Sequence, residues 1–271
     1  VTTGAVLAPL RARYARWLGM DADQVLDDRD EAAVDVRALQ LVLRLERDRP
    51  PSWHGALALA AAGAALVCLD PRSEPGGPWH DAVRDYCAGH IRKVTRRARG
   101  ASWAGTADLP GVSLAAGDTE IRALVPGRVV EVPKAVAKLQ VGGTEVEPDR
   151  PSSAPDDPAA LELWLPLEPV MTLGKAMAQA GHAGMIAAAL LAGDDPAELD
   201  RWYAAGCPVQ VRGRSERFAG LAARLADPAA AWSGDRLLAV RDAGFTEVDP
   251  GTVTVVARAP GGRPHPGPST A

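Results

Sequence analysis

The stretch "ALQLVLRLE" at Ala38–Glu46 returns as "ALELWLPLE" at Ala160–Glu168, an offset of 122 residues, and the rest of the chain is read from that match. Each copy is an apolar run of strand length followed by an alanine-rich segment of helical character. Beyond that segment the offset falls to 117: Tyr86, Ala88 and Gly89 fall on Tyr203, Ala205 and Gly206. Gly117 and Asp118 then fall on Gly234 and Asp235, Gly127 on Gly244 and Pro133 on Pro250. Glycine and proline mark turns, so their recurrence in step is not what shared alanine content produces. Residues 38–141 and 160–258 therefore read as two copies of one domain.

Both copies predict the same elements. In the second, "LELWLPL" is a strand, Gly174–Leu191 a long helix and Glu198–Ala205 a short one. "CPVQVRG" follows as a strand, Ser215–Leu225 as a helix with Ser215 at its N-cap, then "RLLAVRD" and "TVTVVAR" as strands. The fold class is α/β: two tandem three-layer α/β/α domains, each with a four-stranded mixed sheet. Their bounds are 36–141 and 159–260, joined at 142–158 by "GGTEVEPDRPSSAPDDP", which has almost nothing to bury and reads as a flexible linker. Residues 1–35 form an N-terminal extension, with Leu7, Leu10, Tyr14 and Trp17/Leu18 at helical spacing and an acidic run near Asp27. The tail, 261–271, lacks apolar periodicity and is expected to be disordered.

Composition narrows the function classes. Among the 271 residues no apolar run reaches the length of a membrane span, and the amino-terminal stretch lacks the order of a secretory signal. Cys68, Cys87 and Cys207 form no paired framework, which points to a reducing, cytoplasmic setting. His80, Cys87 and His90 have no repeated ligand spacing, so no metal and no cofactor are expected. No serine lies in a G-x-S-x-G turn, which argues against a serine hydrolase.

The polar residues of the second copy are more specific. In "MTLGKAMAQAGHAGMIAAALLAG", from Met171, Lys175, Gln179 and His182 share one helical face with the small Ala178. Lys175 falls in the first turn, near the positive end of the helix dipole, where an anion would relieve it. In "RDAGFTEVDPGTVTV", from Arg241, Asp242 ends a strand, Gly244 and Gly251 permit a tight loop, and Thr246 and Thr252 present hydroxyls near it.

Together these two stretches resemble the peptidyl-tRNA hydrolases of the archaeal and eukaryotic type, over Leu161 to about Pro260. The resemblance implies a four-stranded mixed sheet with helices on both faces and metal-free hydrolysis of the ester between a peptide and the 3′-terminal ribose of tRNA. It places the family's motif residues on Lys175, Gln179, His182, Asp242 and Thr246, and its strand threonines on Thr252 and Thr254. Where the family reads Arg-x-Asp-Leu before the motif methionine, this chain has Pro166, Leu167, Glu168 and Pro169. Lys175, Asp242, Thr246 and Gln179 are the expected catalytic residues; His182, Thr252 and Thr254 are expected to bind substrate.

The first copy offers a comparison within the chain. The repeat alignment sets Trp53, Leu57, Ala60, Val125 and Val129 at the places of Lys175, Gln179, His182, Asp242 and Thr246, and Arg44 and Glu46 at those of Pro166 and Glu168. The first copy is thus expected to be degenerate. Charge divides the copies too: residues 36–141 hold 15 Lys and Arg against 10 Asp and Glu, residues 159–262 hold 9 against 12. Much of the excess sits in "RDYCAGHIRKVTRRARG", where Arg92, Lys93, Arg96 and Arg97 are expected to contact tRNA phosphates. The expected partner is peptidyl-tRNA, with no membrane; packing of the halves as a pseudo-dimer within the chain, or as a homodimer, is open. The alternatives are a non-catalytic RNA-binding or scaffold protein on the same fold and an enzyme for a related ester such as D-aminoacyl-tRNA.

Overall fold

The computed structural model describes residues 4–17, 32, 34–150, 154–244 and 247–263. The acidic run near Asp27, residues 264–271 of the tail and Thr246 lie outside the described residues. In the first unit β1 (Arg37–Arg44) pairs in parallel with β2 (Arg92–Ala98) and antiparallel with β4 (Thr119–Leu124). Strand β3 (Gly111–Ala116) closes the far side of β4, and a two-residue β5 (Gly127–Arg128) pairs with the start of β1. In the second unit β6 (Leu161–Leu165) pairs in parallel with β7 (Val209–Arg214) and antiparallel with β9 (Val253–Arg258), which pairs with β8 (Leu237–Arg241). The orders β2-β1-β4-β3 and β7-β6-β9-β8 are the same mixed sheet built twice.

Helices cover both faces of each sheet. One inner helix lies in each unit, α2 (Trp53–Leu69) and α6 (Leu173–Asp194), capped by Ser52 and Thr172. The small outer helices are α4 (Gly100–Ala104) and α5 (Lys134–Ala137) in the first unit, α8 (Arg217–Arg224) and α9 (Pro228–Asp235) in the second. Shorter inner helices, α3 (His80–Ala88) and α7 (Pro196–Ala204), lead into β2 and β7. Both long helices are apolar nearly all round, and such a helix has to be enclosed. They enclose each other: a Cβ on Gly184 of α6 would lie 2.2 Å from the Ala61 carbonyl oxygen of α2. Length and composition alone would let α6 cross a bilayer, but it is buried in this core. The leucines of β1 and β6 join the same apolar cluster, so the two units share one core. Each long helix also reaches the edge strand of the opposite sheet, α2 to β7 and α6 to β2.

The shared topology revises the residue alignment. Strand pairing keeps the offset of 122 between β1 and β6, but Leu39 pairs with Lys93 where Leu161 pairs with Val209, so β2 and β7 differ by 116, not 117. Ile91 and Cys207, one on each side of that relation, both have left-handed backbones, with φ of 47° and 54°. Leu41 pairs with Ala123 and Leu163 with Ala257, so β4 answers to β9, not to β8 as a constant offset requires. Leu114 opposite Ile121 then matches Val240 opposite Val255, which puts Ala116, not Val125, at the place of Asp242. Counted from the caps, Gly55, Leu59 and Ala62 replace Trp53, Leu57 and Ala60 as the counterparts of Lys175, Gln179 and His182. The reason is a difference in hairpins: Gly117 and Asp118 alone join β3 to β4, whereas residues 242–252 join β8 to β9. Thr246 therefore has no counterpart, and Val129 does not supply one. A polar pair repeats the relation in both sheets: Arg96 donates to Gln40 at 2.8 Å, and Arg212 donates to Glu162 at 3.0 and 2.8 Å.

The described parts of the connector make specific bonds. Asp149 accepts from the His54 amide at 3.1 Å, meets its imidazole Nδ1 at 2.6 Å and bonds Ser52, so its carboxylate caps α2 from outside. The Ala154 carbonyl and Asp156 both accept from Arg212, while Thr144 is buried. The first residues of the tail are pinned as well, with Gly261 donating to the Pro158 carbonyl at 2.8 Å.

Helix α1 (Ala8–Trp17) ties the two units together. Leu7, Leu10 and Tyr14 are buried, and the Tyr14 hydroxyl donates to the Ala239 carbonyl at 2.8 Å and accepts from its amide at 3.0 Å. Ala239 lies on β8, an edge strand, so the phenol supplies the partner that a neighbouring strand would have given. Burial raises the Tyr14 pKa to about 12. Tyr14→Phe strips both bonds from a buried peptide group and is expected to destabilise the protein by about 1 to 3 kcal/mol in urea unfolding; a change below about 0.5 kcal/mol would remove this bond from the account of stability.

Candidate active site

The site grows from the start of α6 and the end of β8. Thr172 caps α6, accepting from the Lys175 amide at 3.2 Å, which fixes the first turn and the direction of the Lys175 side chain. Its own amide and hydroxyl donate to Glu247 at 2.9 and 2.7 Å, clamping the helix start to the loop after β8. That loop begins at Asp242, whose backbone bonds Thr252 and Gly251 at 2.9 and 2.7 Å. Gly244 has φ 76°, and a Cβ there would lie 2.4 Å from Pro250. The glycine is what lets the loop fold back on itself.

Three donors converge on the Asp242 carboxylate. Lys175 Nζ forms an ion pair with Oδ2, Gln179 Nε2 donates to the same oxygen at 2.7 Å, and the Gly244 amide donates to Oδ1 at 2.8 Å. Gln179 in turn accepts from Thr254 Oγ1 at 2.6 Å. Both ends of the Gln179 amide are engaged and both residues are buried, so Gln179 positions Asp242 and Thr254 positions Gln179. Thr254 thus reaches Asp242 through Gln179, and Gln179 also lines the cleft. Lys175 and Asp242 retain 11 % and 7 % side-chain exposure, and both line a cleft of about 550 Å³. Thr252, half-buried beside the loop, holds the start of Asp242 through its carbonyl. The loop position Thr246 lies outside the described residues.

The opposite wall of the cleft belongs to the first unit. His90 through Thr95 line it, and Thr95 Oγ1 donates to the Gly174 carbonyl at 2.9 Å, fastening β2 to the first turn of α6. Lys93 Nζ reaches across to His182 Nδ1 at 3.3 Å and also bonds the Tyr86 hydroxyl at 3.3 Å and the Ile91 carbonyl at 3.2 Å. Burial lowers the Lys93 pKa to about 7. Burial first, then Lys93 and Lys175, pushes His182 well below the usual histidine range, so its imidazole is neutral and held by Lys93. Two residues of the expected phosphate patch have internal partners. Lys93 lines the cleft with its ammonium turned to internal partners, and Arg96 is bound to Gln40 and the Leu139 carbonyl, the latter at 2.9 Å, as a framework arginine like Arg212. Arg97 stacks its guanidinium beside Gly143 and donates to Gln140, while Arg92 lines the cleft.

Lys93 gives a stability test with a definite sign. Its folded pKa lies below the unfolded value, so between pH 7 and 10.5 the unfolded chain binds more protons and stability rises with pH. Below pH 7 the lysine is protonated in both states and the full penalty of burying its charge is present. Lys93→Met leaves the Ile91 carbonyl bonded to Tyr86 at 2.7 Å. It is expected to raise stability at neutral pH and to remove a slope of up to about 1.4 kcal/mol per pH unit above pH 7. Urea unfolding at a series of pH values measures it; an unchanged slope would remove Lys93 from the balance.

A family model described as Peptidyl-tRNA hydrolase PTH2 matches residues 165–265. No curated protein and no solved structure gave a match. The matched span contains α6, β8, the Asp242 loop and β9, with Lys175, Gln179, Asp242 and Thr254 all inside it. The second α/β unit of this chain is a PTH2-family domain, and its family supports a peptidyl-tRNA-hydrolase-like function for that unit.

Proposed function

We propose that the second unit hydrolyses the ester joining a peptide or N-acyl-amino acid to the 3′-terminal ribose of tRNA, freeing the tRNA in the cytoplasm, while the first unit is a degenerate copy without its own site. The observation that carries this reading is the convergence of Lys175 and Asp242 on one cleft inside the span matched to the family. A carboxylate offers about four acceptor positions, and here three are filled by protein donors. The fourth can hold a water molecule against the ester carbonyl. Attack transfers a proton from that water toward Asp242 as the oxygen bonds to carbon, and Lys175 stabilises the negative charge that gathers on the carbonyl oxygen. Collapse of the tetrahedral intermediate breaks the bond to the ribose oxygen, which takes the proton. Gln179 and Thr254 hold Asp242 in place, and Thr252 closes the loop through its carbonyl.

The first unit supports this division of labour by what it lacks: Gly55, Leu59, Ala62 and Ala116 stand where the second carries Lys175, Gln179, His182 and Asp242. Purified full chain is expected to release N-acetyl-amino acid from N-acetyl-aminoacyl-tRNA with no added metal. Absence of turnover, with tRNA binding retained, would replace this reading by that of a non-catalytic RNA-binding protein.

A further inference from the structure

The cleft lies between two strands that each end a sheet. Strand β2 ends the first sheet and β8 ends the second, and the stretches that line the cleft are contiguous on both: His90 to Thr95 on one side, Ala239 to Ala243 on the other. Contiguous lining, odd and even residues alike, is the mark of a strand seen edge-on, because side chains of one parity would line a wall seen face-on. Residues Lys175, Ala178, Gln179, His182 and Ile186 of α6 form the floor.

The two edges are not equally open. On β8 the outward peptide group of Ala239 is already bonded to Tyr14. On β2 the Arg97 amide points away from β1, to the Gln140 carbonyl at 3.0 Å, so in strand alternation the peptide groups of Thr95 and Lys93 point outward as well. The bridge at Gln140 is the only added pairing on that edge among the described residues, and it stops at Arg97. Thr95 stands beside Gly174, next to Lys175, and Lys93 beside His182, so β2 runs along the groove away from the reacting end. From Lys175 to Ile186 the floor extends about 16 Å at the helical rise, the reach of about five extended residues.

We propose that the edge of β2 at Lys93 and Thr95 is the binding edge for the peptide part of the substrate. The peptide enters as an added strand, with its ester carbonyl at Lys175 and Asp242 and its chain running past Thr95 and Lys93 toward Ile186. Main-chain hydrogen bonds along such an edge do not depend on side chains, which suits a hydrolase that has to release peptides of any sequence. The first unit then contributes to the site without carrying catalytic groups of its own. This assignment rests on the hydrolase reading of the same cleft.

Two measurements on the full chain separate the two ideas. In the first, hydrolysis-resistant amide analogues are bound, in which 3′-amino-3′-deoxyadenosine carries either one N-acetyl-amino acid or an N-acetyl-tetrapeptide. The tetrapeptide analogue is expected to bind about tenfold more tightly, the worth of one or two added hydrogen bonds, and to slow deuterium uptake at residues 92–98. The single-residue analogue leaves that segment unprotected. Equal affinity, absence of binding by both, or unchanged exchange at β2 overturns the proposal. The second measurement is turnover of N-acetyl-aminoacyl-tRNA, which decides the hydrolase reading by itself. Length-dependent binding without turnover would leave the peptide edge and overturn the chemistry; turnover with length-independent binding would do the reverse.

Discussion

Asp242→Asn is expected to lower kcat on N-acetyl-aminoacyl-tRNA by about 10²-fold or more, with cooperative unfolding retained. The carboxylate oxygen that now receives both the Lys175 ammonium and the Gln179 amide can receive both because neither of its oxygens carries a hydrogen. An Asn side chain turns one of these oxygens into an NH2 group, so that either Gly244 or the Lys175 and Gln179 pair faces a donor instead of an acceptor. The water position next to Asp242 loses its proton acceptor at the same time. Lys175→Ala is expected to have a comparable effect on kcat through loss of charge on the oxyanion, but it also leaves Asp242 without its ion-pair partner and costs stability. The double variant separates these effects. If the two groups act as one unit, it is no slower than the worse single variant. A loss in D242N of less than tenfold would remove Asp242 from the chemistry.

Gly184→Val is expected to be the most destabilising single substitution in the shared core, at about 3 kcal/mol or more in urea unfolding. A Cβ at this position would lie 2.2 Å from the Ala61 oxygen and 2.8 Å from its carbonyl carbon. These are backbone atoms of α2 and cannot swing aside as a side-chain end would. The helices have to move apart, and everything built across them moves too, including the wall that β2 adds to the cleft. Gly193→Ala serves as the comparison, since its Cβ meets only the flexible guanidinium of Arg11 and should cost far less. Equal losses for the two variants would show that helix propensity, not close approach, governs position 184.

The duplicated α/β architecture was legible because β1 and β6 carry nearly the same apolar string, and the Lys175 and Asp242 pair because its residue types are out of place beside so much alanine. Residue-by-residue equivalence was not legible. A sequence alignment holds a constant offset wherever turn residues recur, but the sheets differ by a hairpin that is tight in one copy and an eleven-residue loop in the other, from 242 to 252. Glycines at 117 and 244 both turn the chain just after equivalent strands, β3 and β8, although the sequence alignment sets Gly117 on Gly234 and Gly127 on Gly244. The internal partners of the basic run were not legible for a related reason. Charge in a sequence says nothing of which residues face inward, and Lys93 and Arg96 find internal acceptors only because β2 lies between β1 and α6. Helix α9 went unread although Asp227 caps it and Pro228 occupies its first turn, because its alanines carry no periodic apolar stripe. Glu247 gave no sign of itself, since its tie to Thr172 spans 75 residues of chain.

The reach of α6 to β2 and of α2 to β7 has a consequence for how the molecule behaves on dilution. A surface of this kind assembled from separate chains obeys mass action, and its cleft comes apart as the chains do. Here both contributors are carried on one polypeptide, and the connector from 142 to 158 holds them at a fixed effective concentration set by its length, whatever the amount of protein in solution. Activity per molecule should then be flat from micromolar to nanomolar protein, and one half is free to change its residues without having to remain a match for a copy of itself.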